Sequence, residues 1–374
     1  MTVQPASLSP TARLSDAEPG PRLVIDRDAL ARNYARLAKA APDAQTAAVI
    51  KADAYGLGAA ALAPRLSREG CRAYFVATAW EGAQLRRSLA SAGGEADIYV
   101  FNGYRPGERR TLAEARLTAI LNTAEEAAAA RADGWSGPVA LHIDTGMNRL
   151  GVRADAVDEL DPQALMRDLD LRLVMSHFAC ADLRDSAMNE AQRARFEAAA
   201  ARFPSVRRSL ANTAGVLLGP EHHFEMTRPG IGLYGGAPGA EAHPFEPVAR
   251  IEAPVLQLRR VEAGESVGYG ADSVADAPRM IATVALGYAD GLPRAASSAG
   301  YARIEGAKAP LAGRVSMDLC AIDVTGLEAR ARPGAIASFL GGDLDAAAEA
   351  AGTIPYELLT RLGRRFARRY EGAS

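Results

Sequence analysis

Ala47-Ala48-Val49-Ile50-Lys51-Ala52-Asp53-Ala54-Tyr55-Gly56-Leu57-Gly58 sets the reading of the longer part of this chain. Four apolar residues form a strand-like run, a lysine stands where the run ends, and a glycine-punctuated turn follows. The same unit recurs. Apolar runs at 46–50, 73–77, 97–101, 118–121, 138–143, 171–176, 207–211 and 223–227 are separated by Ala/Arg/Glu-rich stretches. The stretches at 28–41, 58–69, 80–91, 123–132 and 189–203 place apolar residues three and four apart, as helices do. Eight strands with intervening helices over about 200 residues predict an α/β fold, a (β/α)8 barrel of the TIM type. An open doubly wound sheet shares the periodicity.

The texture changes near 237–247, where Ala237-Pro238-Gly239, Pro244 and Pro247 break the alternation. β-type runs follow at 248–261, 279–286, 301–304, 309–315, 319–324 and 335–340, with helical stretches at 343–351 and 355–366. The organisation expected is a disordered leader at 1–21, a barrel at 22–245 and a mainly-β domain at 246–374. The strand Leu23-Val24-Ile25-Asp26 either opens the barrel or pairs with the second domain.

A chain of 374 residues can bury two cores. A net charge of −2 offers no field to nucleic acid or an anionic membrane. The basic run Arg361 to Arg369 carries Leu362, Phe366 and Tyr370 at helical spacing and reads as the arginine-rich face of an amphipathic element. Cys71, Cys180 and Cys320 are far apart and odd in number, against a disulfide framework or Cys-x-x-Cys metal site. No apolar stretch reaches the roughly 20 residues of a membrane span. The leader lacks the basic start and apolar block of a secretory signal, so a cytoplasmic protein is expected.

Among 43 lysines and arginines only Lys39, Lys51 and Lys308 are lysines. A lysine kept in such a chain suits chemistry that a guanidinium cannot do, such as forming a Schiff base. In a barrel, reactive groups gather where strands end. Lys51, His142 to Arg149, Ser176-His177-Phe178, Ala211 to Gly215 and Thr227 to Gly232 all fall there. Asn212-Thr213 at a helix start and the bare backbone of Gly230-Ile231-Gly232 could hold phosphate; each alone also reads as a cap or a turn. A lysine beside a phosphate grip suggests pyridoxal 5′-phosphate. Gly230 to Gly235 fits G-x-G-x-x-G, but it comes late, after Arg-Pro, and opens no helix, which argues against a dinucleotide site. His222-His223 reads as surface or strand, with no carboxylate or cysteine completing a metal spacing.

These residues resemble the pyridoxal-phosphate-dependent alanine racemases of fold type III. Ala48 to Gly58 is similar to their cofactor-lysine motif. The likeness continues through Asp144 to Gly151, Ser176 to Ala179, Asn212-Thr213, Arg228 to Gly235, Gly268-Tyr269-Gly270, Gly287 to Gly291, Arg314 to Asp318 and Ile354 to Glu357. The resemblance implies a barrel holding the cofactor and a β domain that completes the active site of a partner chain, in a head-to-tail homodimer. The implied reaction interconverts L- and D-alanine by two bases and supplies D-alanine for peptidoglycan. A broader-specificity amino-acid racemase and a non-catalytic pyridoxal-phosphate carrier are the alternatives.

By resemblance, Lys51 is one base and the cofactor lysine, and Tyr269 of the partner chain is the other. Arg228 faces the pyridine nitrogen, with His177 against it. Tyr55, Asn212, Thr213, Tyr356 and the backbone of Gly230 and Ile231 hold the cofactor phosphate end. Arg149 and the Met317 N–H bind the substrate carboxylate. Tyr288 and Asp318 resemble residues of the site entrance. No metal is implied. Many relatives carry, in place of His142, a lysine whose carbamate orients the arginine equivalent to Arg149. Histidine cannot carry a carbamate, so another partner of Arg149 is expected: the imidazole through a water, a small anion or a nearby carboxylate.

Overall fold

The computed structural model describes residues 20–373 other than 240–242, 244 and 343, so most of the expected leader lies outside the described residues. The chain divides into two compact units, and the division is not a single cut near residue 246. One unit holds Ile25–Arg250, Leu340–Leu362 and the chain from Tyr370; the other holds the described residues up to Val24, Ile251–Phe339 and Gly363–Arg369.

The first unit is built on a parallel sheet. Ala48–Val49 pairs with Ala73–Val76, followed in order by Asp97–Val100, Thr118–Leu121, Pro138–Asp144, Asp170–Met175, Arg207–Ser209 and Met226–Thr227. Met226–Thr227 then pairs with Gln45–Thr46. Gln45–Thr46 and Ala48–Val49 are halves of one strand parted at Ala47, whose N–H is given to the Thr227 carbonyl at 2.9 Å. They stand at opposite ends of the strand order, so the sheet closes and the open doubly wound alternative is excluded. Closure explains the apolar runs: Ala73–Val76 and Thr118–Leu121 are buried at every position, as strands covered on both faces must be. The first helix, Arg27–Ala40, begins where the Asp26 carboxylate accepts the N–H groups of Asp28 and Ala29.

Two expectations along this unit are corrected. The eighth strand is only Met226–Thr227, because Pro220–His222 forms a 3-10 turn and Phe224 is left-handed at φ 51°. His222 and His223 are buried rather than on the surface or in a strand, and His223 Nε2 bonds the Val216 carbonyl at 2.9 Å.

After Lys51 the backbone turns the unusual way. Ala52, Asp53, Ala54 and Tyr55 all have φ between 52° and 55°. A left-handed non-glycine residue costs roughly 1–2 kcal/mol, so this turn persists only because its surroundings hold it. Ala54 N–H reaches the Ile50 carbonyl at 2.9 Å, and the Asp53 carboxylate accepts Ala59 N–H at 2.7 Å. The two glycines after it are obligatory for space: a Cβ on Gly56 would lie 2.6 Å from the Leu359 carbonyl oxygen, and one on Gly58 2.1 Å from the Tyr370 hydroxyl. Through these glycines the C-terminal helix Pro355–Thr360 and Tyr370 pack on the turn, which is why they belong to this unit.

The second unit is mainly β. Its long strand Ala249–Val261 pairs antiparallel with Arg279–Val284 and Ile336–Phe339, and Arg279–Val284 pairs with Cys320–Asp323. Tyr301–Ile304 and Ala307–Pro310 form a hairpin beside Ile336–Phe339. Arg22–Asp26 lies in this sheet, between Ala249–Val261 and Ala367–Glu371. The helix expected at 355–366 ends at Thr360, and the basic run after it is no helical face. Gly363 N–H is drawn to the Asp290 carbonyl at 2.9 Å, Arg365 pairs with Asp290 and Asp318, and Ala367–Glu371 is a strand.

Candidate active site

The strand ends of the barrel meet in a cavity of about 380 Å³. Lys51, Tyr55, His142, Arg149, His177, Asn212, Thr213, Arg228, Gly230, Ile231 and Tyr356 all line it. Every barrel residue expected to bind cofactor or substrate is therefore gathered in one place. Tyr269 and Met317 are not among the lining residues; they belong to the other unit, where they are 72% and 54% exposed. Tyr269 rides on a 3-10 turn between the short strands Ser266–Val267 and Ser273–Val274. A larger cleft, about 640 Å³, lies beside residues 144–158, but its charges are largely spent on one another, as in Arg153–Asp155 and Arg202–Asp158. Chemistry rather than size picks out the smaller cavity.

Lys51 makes no hydrogen bond or ion pair among the described residues, and its Nζ lies 5.7 Å from the centre of the Phe101 ring. Loss of water first, and the Arg149 guanidinium second, hold its amine below the ordinary lysine value, while Glu81 pulls the other way. An amine so lowered is deprotonated more readily and is a better nucleophile and base.

Arg228 is 2% exposed, and burial draws its guanidinium down to about 9, still charged at neutral pH. One Nη donates to Ser209 Oγ and the other to the Ser176 carbonyl, with His177 Nδ1 3.5 Å away. Its Nε–H is buried with no partner among the described residues. An orphaned guanidinium donor at a cavity wall calls for an acceptor from a ligand. His177 is held neutral, by burial first and then by Arg228 and Arg149.

Hydroxyls cluster around Gly230. A Cβ there would lie 2.3 Å from the Tyr55 hydroxyl, so only glycine leaves room for it. Tyr55 stacks near Tyr234 and Tyr356, with ring centres 4.7 and 6.0 Å away. Burial raises both Tyr55 and Tyr356, so both hydroxyls keep their protons as donors. Thr213 Oγ1 accepts from the N–H of Gly230 at 2.9 Å and of Gly232 at 3.3 Å, which leaves its own O–H to give. The capping role open to Thr213 falls instead to Asn212, whose Oδ1 takes Gly215 N–H at 2.9 Å. The Gly230 N–H is thus spent on Thr213, while the Ile231 N–H has no partner among the described residues.

His142 is held by Asn122. Asn122 gives its amide N–H groups to the Phe101 and Ile120 carbonyls, both at 3.0 Å, so its oxygen faces His142 Nδ1 at 2.9 Å. That oxygen can only accept, so the Nδ1 carries the proton and Nε2 bears the lone pair. Burial first, then Arg228 and Arg149, push His142 down to about 4, and it is neutral. Among the described residues Arg149 makes no hydrogen bond or ion pair, and its charge bears on His142. Only the Nδ1 of the imidazole is engaged by Asn122, so Nε2 keeps its lone pair to accept, while Asp144, the carboxylate beside it in sequence, accepts the N–H groups of Gly146, Met147 and Asn148.

The lining holds three cations, Lys51, Arg149 and Arg228, two neutral histidines and no carboxylate among the described residues. It is built for an anionic ligand with an electrophilic carbon within reach of an amine.

Sequence comparison places residues 25–238 in the family described as alanine racemase, N-terminal domain, and residues 248–370 in alanine racemase, C-terminal domain. The alanine racemase of Rhodospirillum rubrum is 46% identical over 362 residues, 94% of this chain and 96% of that one. The catabolic alanine racemase of Agrobacterium fabrum is 44% identical over 357 residues, 93% and 91% of the two chains. Among solved structures, that of alanine racemase from Bartonella henselae with covalently bound pyridoxal phosphate matches with a TM-score of 0.87 at 33% identity, over 94% of this chain and 99% of that one. The biosynthetic alanine racemase of Pseudomonas aeruginosa matches with a TM-score of 0.88 at 36% identity, over 95% and 100%.

Proposed function

Because the chain belongs to the alanine racemase family, we propose that it interconverts L- and D-alanine with pyridoxal 5′-phosphate held in the barrel cavity. One observation carries the reading: Lys51 with its unpartnered amine, Arg228 with its orphaned Nε–H, and Tyr55, Thr213 and Tyr356 with their hydroxyls all line a single cavity without carboxylates among the described residues. These donors fit the cofactor. Tyr55, Thr213, Tyr356 and the Ile231 N–H would hold its phosphate, Arg228 its pyridine nitrogen and Lys51 its aldehyde carbon. When bound, the group supplies an electrophilic carbon for the substrate amine and a conjugated ring that draws electrons from Cα.

The residues divide the rest of the work. Arg228 keeps its own proton, so beside the cofactor's pyridine nitrogen it would offer a hydrogen bond without protonating that nitrogen, and would limit how strongly the ring withdraws electrons. His177, held neutral, accepts from Arg228 and fixes its plane. Lys51, with its lowered proton affinity, takes or returns the Cα proton on one face. Tyr269 of a partner chain does so on the other face. Arg149 and the Met317 N–H, the latter also from a partner, hold the substrate carboxylate.

This arrangement requires a homodimer, each β unit completing the other chain's site. The exposure of Tyr269, Val274, Tyr288, Met317 and Leu319 on that unit supports it, since clustered exposed apolar groups mark interfaces. The setting is cytoplasmic, and the product D-alanine serves peptidoglycan. A second reading, a racemase of broader specificity, is favoured by one observation: Arg149, expected to bind the substrate carboxylate, has no side-chain or backbone partner among the described residues.

The deciding experiment incubates the purified protein and pyridoxal phosphate with a panel of L-amino acids and assays D-enantiomers. Borohydride reduction and peptide mapping follow. Alanine should be turned over fastest and the label should sit on Lys51. A label on Lys39 or Lys308, or no turnover of any amino acid, would overturn the proposal.

A further inference from the structure

Glu81 does not line the cavity, yet it reaches the turn that presents Lys51. It sits in the first turn of the helix Ala79–Ser91, where it completes a capping box with Thr78. Its Oε2 accepts Ala77 N–H at 2.7 Å and Thr78 N–H at 3.3 Å. Its Oε1 goes elsewhere, to the N–H of Ala52 at 2.8 Å. One carboxylate therefore ties a helix start to the residue next to Lys51, across 29 positions of sequence.

Ala52 is the first of the left-handed residues and is exposed to solvent. Among the described residues its N–H has no other acceptor. The other bonds of the turn are backbone to backbone: Ala54 N–H to the Ile50 carbonyl, Gly56 N–H to the Ala52 carbonyl and Gly58 N–H to the Asp53 carbonyl. Among the described residues, the tie at Glu81 is the side-chain bond made to the backbone next to Lys51, and it adds to those backbone bonds.

We propose that Glu81 is a positioning residue for Lys51, its carboxylate holding the left-handed turn through the Ala52 N–H so that the amine meets the cofactor in one orientation. This rests on the reading of Lys51 as the cofactor lysine. Glu81 is also the acidic group whose field bears on Lys51 against Arg149. A glutamine cannot replace it. Both oxygens receive N–H groups, and an amide would turn its own N–H2 toward one set of them.

The test compares the holoenzymes of wild type, Glu81→Gln and Thr78→Ala. Thr78→Ala breaks the other half of the capping box without touching Ala52. It should lower the melting temperature while keeping the cofactor's visible circular dichroism and dissociation constant. Glu81→Gln should weaken the visible circular dichroism and raise the dissociation constant for pyridoxal phosphate about tenfold, as expected for one lost charge-assisted bond. If Glu81→Gln does not fold, hydrogen exchange at the Ala52 amide of the wild-type holoenzyme decides. Protection there supports the tie, and free exchange at this exposed residue overturns it. A Glu81→Gln protein whose cofactor signals match those of Thr78→Ala would reduce Glu81 to a helix cap. A wild type that takes up no cofactor would overturn the reading beneath this inference, and the inference with it.

Discussion

Arg228→Met separates a residue that holds the fold from one that waits for a ligand. Drawing a guanidinium from 12.5 down to about 9 by burial costs the cofactor-free fold on the order of 5 kcal/mol. Against this stand its bonds to Ser209 Oγ and the Ser176 carbonyl, roughly 1.5–3 kcal/mol each for a charged donor. The two sides nearly cancel. Methionine has similar reach, brings no charge, and leaves two buried carbonyls, those of Ser176 and, at 3.4 Å, Leu210, without this donor. Replacing a buried charge with an apolar side chain of similar volume is often neutral. Urea unfolding of the cofactor-stripped proteins should therefore differ by no more than about 2 kcal/mol. Racemisation at saturating cofactor should fall by roughly 10²–10³-fold, the usual consequence of removing one preorganised donor from a site. A variant that loses more than about 5 kcal/mol of stability, yet keeps its cofactor affinity and turnover when folded, would refute the argument.

Three further outcomes are expected. His142 titrates at about 4 in the fold against 6.5 unfolded, so between those values only the unfolded chain binds the proton; its contribution is complete above 6.5 and is lost on acidification toward 4, by on the order of 3 kcal/mol. The gap in urea stability between wild type and His142→Gln should shift in the variant's favour over that range, and a constant gap would count against a buried neutral imidazole. Removing Arg365 takes from the buried Asp290 carboxylate its cation, so Arg365→Ala should lower the midpoint of thermal or urea unfolding, with part recovered in Arg365→Ala/Asp290→Asn; no loss would mean the pair is solvated. Mixing inactive Lys51→Ala and Tyr269→Phe chains should restore some activity, because a mixed dimer can form one site with both bases; no recovery after verified subunit exchange would place both bases within one chain.

The site was legible in the sequence to the extent that position along a strand determines it. Lys51, His142, His177, Asn212, Thr213 and Arg228 each follow an apolar run, and a closed barrel brings all such ends together, so convergence could be read before any contact was known. Closure itself was less legible, because the strand that seals the barrel is parted at Ala47 and its last neighbour is only Met226–Thr227. Helical spacing at Leu362, Phe366 and Tyr370 misled, since Gly363 and Arg365 are drawn to Asp290 and a strand follows. What sequence could not show is how polar atoms choose among partners. Asn212 rather than Thr213 caps the helix, which leaves the Thr213 hydroxyl at Gly230; Asn122 takes the Nδ1–H of His142, which leaves Nε2 as an acceptor; Glu81 reaches Ala52 from a helix 29 positions away. Each choice moves a hydrogen-bonding group away from the role its own neighbours in sequence suggest. Together they explain why the cavity holds unspent donors: the protein's acceptors are committed elsewhere, so the Lys51 amine, the Arg228 Nε–H and the hydroxyls near Gly230 are left for a ligand that brings its own acceptors.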